Sequence, residues 1–191
     1  CPDATFFHLS GWQRVIEEAF GHRTWFYYAE RAGQVVGVLP LGEIRSRLFG
    51  HSLVALPFCV YGGVAASDAA ARALLEKGAL ALAQELGVGH LEYRGMQPRN
   101  PPDPSFATRD LYYTFRKKIG PDNEANMLAI PRKQRAMVRK GEKLGLRSEI
   151  DDDTRRMFRA FSASVHRLGT PVLPERYFAQ LKKVFGERCE V

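Results

Sequence analysis

The sequence predicts a mixed α/β (α+β) domain, from three observations. An amphipathic helix stands near the start, a group of β-rich runs separated by turn residues follows it, and a second long helix leads back into a further strand. In the first helix Trp12, Val15, Ile16, Ala19 and Phe20 recur at i, i+3, i+4, i+7 and i+8, the spacing of one helical face, with Ser10 as its cap and Gly21 as its stop. Runs 24–29 and 34–44 flank Glu30-Arg31-Ala32-Gly33, which reads as a hairpin turn, and Pro40 marks an edge, a bulge or a local break in pairing. The apolar run 52–60 reads as a third, buried strand. It is led in by the turn Arg47-Leu48-Phe49-Gly50 and led out by Tyr61-Gly62-Gly63. Ser67-Asp68 caps a long helix carrying Ala71, Leu74, Leu75, Gly78, Leu82 and Leu86, closed by Gly87.

Residues 88–94 then form a short strand. The segment 95–105 holds four of the chain's eleven prolines and is a loop. Strands are predicted at 111–119 (LYYTFRKKI) and 146–150, and a helical, very basic stretch lies between them. Asp151-Asp152-Asp153-Thr154 opens a helix striped with Met157, Phe158, Phe161, Val165 and Leu168. A last helix, 174–185, carries Tyr177, Phe178, Leu181, Val184 and Phe185. The aromatic faces of these two helices are expected to need cover from residues outside the 191 given, so a further domain is expected to begin at 151.

Composition narrows the function classes. With 45% apolar and 11% aromatic residues the chain can bury one good core. It has no apolar run of the ~20 residues a membrane-spanning helix needs, and no basic-then-apolar leader; a first residue other than Met leads to the expectation that the natural start lies upstream. Cys1, Cys59 and Cys189 are scattered, which fits a reducing cytoplasm and argues against a disulfide framework or a zinc knuckle. The five histidines stand singly, with no i, i+4 ligand pair. There is no Walker loop, no nucleophile elbow and no dinucleotide fingerprint. Cys59, within an apolar run, reads as a small buried hydrophobe rather than a nucleophile. A net charge of +7 favours polyanionic partners.

The charge is concentrated in PRKQRAMVRKGEKLG, residues 131–145. At about 100° per residue Arg132, Arg135, Arg139 and Lys143 share an arc of roughly 80°. Lys133 and Lys140 lie beside that arc, and Ile130, Met137, Gly141 and Leu144 lie opposite. Like charges along one stripe repel by a few tenths of a kcal/mol per neighbouring pair. Against a solvated charge run, the segregation favours an anion-binding face. Its ligands would be phosphates of a nucleotide-linked or lipid-linked substrate, or of an RNA. On the strand 88–94, Glu92 and Arg94 are either a structural pair or place Arg94 toward a substrate. Tyr61-Gly62-Gly63 reads either as a strand-ending turn or as permissive backbone that a ligand can approach.

Taken together, the stretches FGHRTWFYYAE, GQVVGVLPLGEIRSRLFGHSLVALPFCVYGG, LEYRG, IPRKQRAMVRKGEKLGL and HRLGTPVLPERYF resemble the Fem-type peptidoglycan-bridge aminoacyltransferases. They are most similar to the FemAB-related proteins associated with PEP-CTERM and exosortase exopolysaccharide systems. The resemblance implies two tandem GNAT-like acyltransferase domains, each a mixed sheet flanked by helices. The first would span 1–150, including a basic linking helix at 131–145, and 151–191 would begin a second, incomplete one. It implies an acyl- or aminoacyltransferase acting on an amine of a cell-envelope or exopolysaccharide precursor, phosphorylated or lipid-linked, in the cytoplasm or at the inner face of the membrane. In that reading Arg132, Arg135, Arg139 and Lys140 hold phosphates, while Tyr61, Gly62, Gly63 and Arg94 line the cleft; no catalytic base is assigned. Gly63 departs from the proline the family often has there. The family's long tRNA arm is not visible, and no acetyl-CoA pyrophosphate loop occurs, so the co-substrate stays open between acyl-CoA and aminoacyl-tRNA, with no permanently bound cofactor and no metal. The competing expectation is a non-catalytic module whose basic helix docks RNA or anionic membrane.

Overall fold

A computed structural model describes residues 1, 3–48, 50–96, 103–109 and 112–191. Among these residues five strands, β1 (Thr24–Arg31), β2 (Gln34–Ser46), β3 (Gly50–Val54), β4 (Ala65–Ala66) and β5 (His90–Glu92), accompany six α-helices. These are α1 (Gly11–Phe20), α2 (Ala69–Leu86), α3 (Asn123–Leu128), α4 (Arg132–Lys143), α5 (Thr154–Arg167) and α6 (Glu175–Phe185). The chain forms two compact units. One comprises Cys1–Pro102 with Asp152–Val191; the other comprises Asp103–Asp151.

The first unit is built on a mixed sheet of order β1-β2-β3-β5, with β4 on β2. β1 and β2 are an antiparallel hairpin with an irregularity at Ala29/Glu30. Its two-residue turn, Ala32-Gly33, has φ of 49° and 76°, the left-handed pair that matches strand twist. β3 runs antiparallel to β2 and parallel to β5, so the chain crosses over through α2 before pairing again. Alternation in β1 divides the core. Trp25 and Tyr27 pack with Leu39, Leu41, Leu53 and the α2 residues Ala71, Leu75, Ala79 and Leu82. Phe26 packs with α1 and α6 on the other face. The result is helix, sheet and helix in three layers, a mixed α/β architecture.

Several predicted elements take a different form. The run 52–60 leaves the sheet after Val54, because Leu56 and Phe58 adopt left-handed backbone at φ 55° and 66°. Ala55, Leu56, Pro57 and Cys59 remain buried outside any strand. Of 88–94 only His90–Glu92 is strand. Ser10 makes no side-chain cap, whereas Asp68 accepts from Ala71 N–H at the start of α2. Leu74 faces out and Ala79 takes its place in the core. The expected strands 111–119 and 146–150 do not form: residues 112–119 and 146–150 are irregular and exposed. A β-prone run makes a strand only where a partner supplies the ladder. Leu111, Phe49 and the 97–102 part of the proline-rich loop lie outside the described residues.

Helices α5 and α6 belong to the first compact unit, where the sequence led us to expect the start of another domain. Tyr177 and Phe185 of α6 are buried with Trp12, Val15, Ile16 and Ala19 of α1, so these two aromatics are covered from within the chain. Ring centroids lie 5.2 Å apart for Trp12 and Phe185 and 5.3 Å apart for Phe20 and Tyr177.

Candidate functional site

The basic helix forms as its sequence dictates. Pro131 precedes the first turn, and the helix ends at Gly145, whose φ is 74°. Leu146 N–H donates back to the Gly141 carbonyl and Gly145 N–H to that of Glu142, a closing turn in which glycine supplies the left-handed residue. Arg132, Arg135, Ala136, Arg139, Lys140 and Lys143 line an open recess of about 520 Å³ on α4. The four cations that the sequence singles out, Arg132, Arg135, Arg139 and Lys140, are therefore brought together on one side. Among the described residues none of them has a carboxylate within ion-pair distance. The first turn of α4 holds no acid, so Arg132 and Lys133 sit at the positive end of the helix dipole without local compensation. Free N–H groups at a helix start and guanidinium groups along one helix side have the chemistry to receive an anion.

Tyr61, Gly62, Gly63 and Arg94 lie in the other compact unit, where their geometry is largely structural. Gly62 and Arg94 exchange backbone hydrogen bonds of 3.0 and 2.5 Å in an isolated bridge. The Arg94 side chain donates from Nε to Glu92 Oε1 at 2.6 Å and from Nη1 to the Cys59 carbonyl at 2.9 Å. Of the two roles open for Arg94, the structure thus displays the pair with Glu92, extended to a clamp on loop 55–63. Gly62 is glycine because the backbone of Ala55 passes where a Cβ would stand. Gly63 has open space at that position, and its carbonyl accepts from His8 Nε2 at 3.2 Å. His8 Nδ1 accepts from Thr5 N–H at 3.0 Å, which fixes the proton on Nε2, and burial pushes the pKa of this imidazole down. The Tyr61 ring meets Phe7 edge-on at 5.9 Å.

Sequence reading missed a third group. Glu43 is 5% exposed, on β2. Its Oε2 accepts from Arg23 Nε at 2.7 Å and its Oε1 from His51 Nε2 at 2.6 Å. The Arg23 hydrogen bond, then that of His51, holds the Glu43 carboxyl below its usual range against the opposing effect of burial. Arg23 also stacks 5.3 Å above Trp25, and with Glu17, Gly21, His22 and Thr24 these two residues line a second open recess of about 500 Å³. Glu43 follows the apolar run GVLPLG, and an acid so placed on a strand was the available signal.

Burial pushes the Cys59 thiol up to about 12, which suits the buried hydrophobe the sequence suggests rather than a nucleophile. Among the described residues no group of His, Cys, Asp and Glu could hold a metal ion, and no helix is long and apolar enough to cross a membrane. No family model matches the chain, and comparison with curated proteins finds no match.

Proposed function

We propose that this chain is the substrate-phosphate-holding part of a GNAT-fold acyl- or aminoacyltransferase of Fem type. It would act in the cytoplasm, at the inner face of the membrane, on an amine of a cell-envelope or exopolysaccharide precursor. The observation that carries this reading is the cationic recess on α4, where Arg132, Arg135, Arg139 and Lys140 converge without carboxylate partners among the described residues. The mixed sheet flanked by helices and the sequence resemblance support the transferase part. Acyl transfer to an amine gains from binding energy spent far from the reacting atoms, since a clamped phosphate holds the amine in line with the activated carbonyl. Tyr61–Gly63 and Arg94 enter the proposal as the residues that shape loop 55–63, and the donor is acyl-CoA or aminoacyl-tRNA.

The test is Arg135→Ala combined with Arg139→Ala in the full chain. Binding of a soluble diphosphate-bearing precursor should weaken about 100-fold, from two charge-assisted contacts of roughly 1.5 kcal/mol each. An unchanged affinity, or no acyl transfer with any CoA or aminoacyl-tRNA donor in the full-length protein, would refute the proposal. If instead the variant loses RNA binding, with a salt slope of about −0.7 per phosphate contacted, the chain is an RNA-docking module.

A further inference from the structure

The side of α4 opposite its cations is mostly apolar and bare, with exposed Gln134 as the polar residue within it. Met137 is 64% exposed and Leu144 70%. Leu146, 73% exposed, folds back beside Gly141, where its Cδ1 lies 3.3 Å from the position of a glycine Cβ. Gly141 therefore leaves room for Leu146 to widen the apolar strip. Among the described residues of 103–151 none is buried, so this unit holds its own apolar side chains against solvent.

The cations complete the pattern. With Arg132 at zero and about 100° per residue, Leu144, Met137, Gly141 and Val138 fall at roughly 120°, 140°, 180° and 240°. Gln134 lies within this arc at roughly 200°. Lys140 and Lys133 border it at roughly 80° and 100°, and Glu142 and Arg135, an acid and a base, stand beyond its other edge at roughly 280° and 300°. An apolar strip bordered by long basic side chains is complementary to a surface with acyl chains below and anionic headgroups above. The lysine stems lie along the apolar layer while their ammonium groups reach lipid phosphates. RNA offers nothing to Met137, Leu144 and Leu146, so charge and apolarity together favour lipid.

We infer that α4 lies in the plane of an anionic lipid bilayer, with Met137, Val138, Leu144 and Leu146 in the acyl boundary and Lys133, Lys140 and Arg135 on the headgroups. Arg132, Arg139 and Lys143 then face away from the acyl layer. This goes beyond the phosphate-holding role, because it rests on the apolar side of the helix and shares only Arg135 and Lys140 with the recess. It gives that role a reason to face lipid-linked substrates.

The experiment is co-sedimentation of the full chain with vesicles of phosphatidylcholine plus phosphatidylglycerol, and with phosphatidylcholine alone. Wild type should bind the anionic vesicles and release as salt rises. Met137→Gln with Leu144→Gln should lower that partition about 100-fold, from two side chains' worth of lost burial. The same variant should bind inorganic pyrophosphate like wild type, whereas Arg135→Ala with Arg139→Ala should lose it. Both glutamines replace exposed residues and are good helix formers, so unchanged circular dichroism is expected. Wild type that ignores anionic vesicles overturns the inference, as does a glutamine variant that binds them as well as wild type. Binding to single-stranded RNA with no vesicle binding overturns it too. Pyrophosphate binding reports on the phosphate-holding reading separately.

Discussion

Replacing Gly62 by alanine sets a methyl carbon onto the Ala55 carbonyl oxygen, 2.7 Å from the carbonyl carbon and 2.9 Å from Leu56 Cβ. The obstacle is main chain, which cannot swing aside as a side-chain tip would, so one strand of the crossing must move. Overpacking of this kind costs about 1–3 kcal/mol. Displacing Gly62 also loosens its two backbone bonds to Arg94, each worth about 0.5–1.5 kcal/mol. The sum is about 2–6 kcal/mol, a large part of the 5–15 kcal/mol that typically holds a domain together. Urea unfolding should show the midpoint falling by about 1–3 M at an unchanged slope of about 2 kcal/mol per M. Gly63→Ala is the internal control. Its Cβ meets nothing within 4 Å and its φ is outside the left-handed region, so stability should hold or rise slightly through the unfolded chain. If Gly62→Ala unfolds within 0.5 kcal/mol of wild type, about the noise of a surface substitution, the tight crossing is not what requires glycine there. Gly62 would then be free for a ligand-facing role.

Two further outcomes follow from the first unit. Glu43→Gln should cost about 1–3 kcal/mol at neutral pH by removing a charged acceptor from Arg23 and His51. Because the folded carboxyl titrates below its unfolded value near 4.3, its contribution is full above that value and fades as pH falls through the depressed one. The variant's stability should consequently fall less steeply below about pH 4 than that of wild type, which urea melts at stepped pH will read; parallel pH curves would refute the assignment. Cys59 should resist iodoacetamide at pH 8 in the native protein and react once urea unfolds it, while exposed Cys1 reacts throughout. Peptide mass mapping distinguishes them, and rapid native labelling of Cys59 would contradict its burial.

Local pattern carried the sequence reading where neighbours in the chain are neighbours in space. The spacing from Trp12 to Phe20 gave α1, Asp68 and Gly87 bracketed α2, and Glu30-Arg31-Ala32-Gly33 marked the hairpin, though Glu30 and Arg31 still belong to β1, because each signal is confined to one element. The cationic face of α4 was legible for the same reason. The apolar run from Ser52 to Val60 misled, since burial continues to Cys59 while the left-handed Leu56 and Phe58 take the backbone out of the sheet. An apolar run reports burial and not conformation. The aromatic, β-prone composition of 112–119 states a propensity, whereas a strand needs a partner. Glu43 and its two partners are far apart in sequence, joined only by the register that sets β1 and β3 on either side of β2. Arg94 was legible as a partner of Glu92, but its hold on the Cys59 carbonyl depends on a chain path that no local spacing encodes.

The pairing of α1 with α6 has a consequence for the order in which the protein matures. Trp12, Val15 and Ile16 leave the ribosome before the Tyr177 and Phe185 rings that cover them, which follow more than 150 residues later in the chain. At synthesis rates of about 5–20 residues per second, α1 waits on the order of 10–30 s with one flank bare. The sheet can close once Glu92 has emerged, since β5 is its last strand. A half-built chain is therefore a sheet with one helical layer finished and the other open, and chaperones that recognise nascent apolar surface have their longest opportunity at α1.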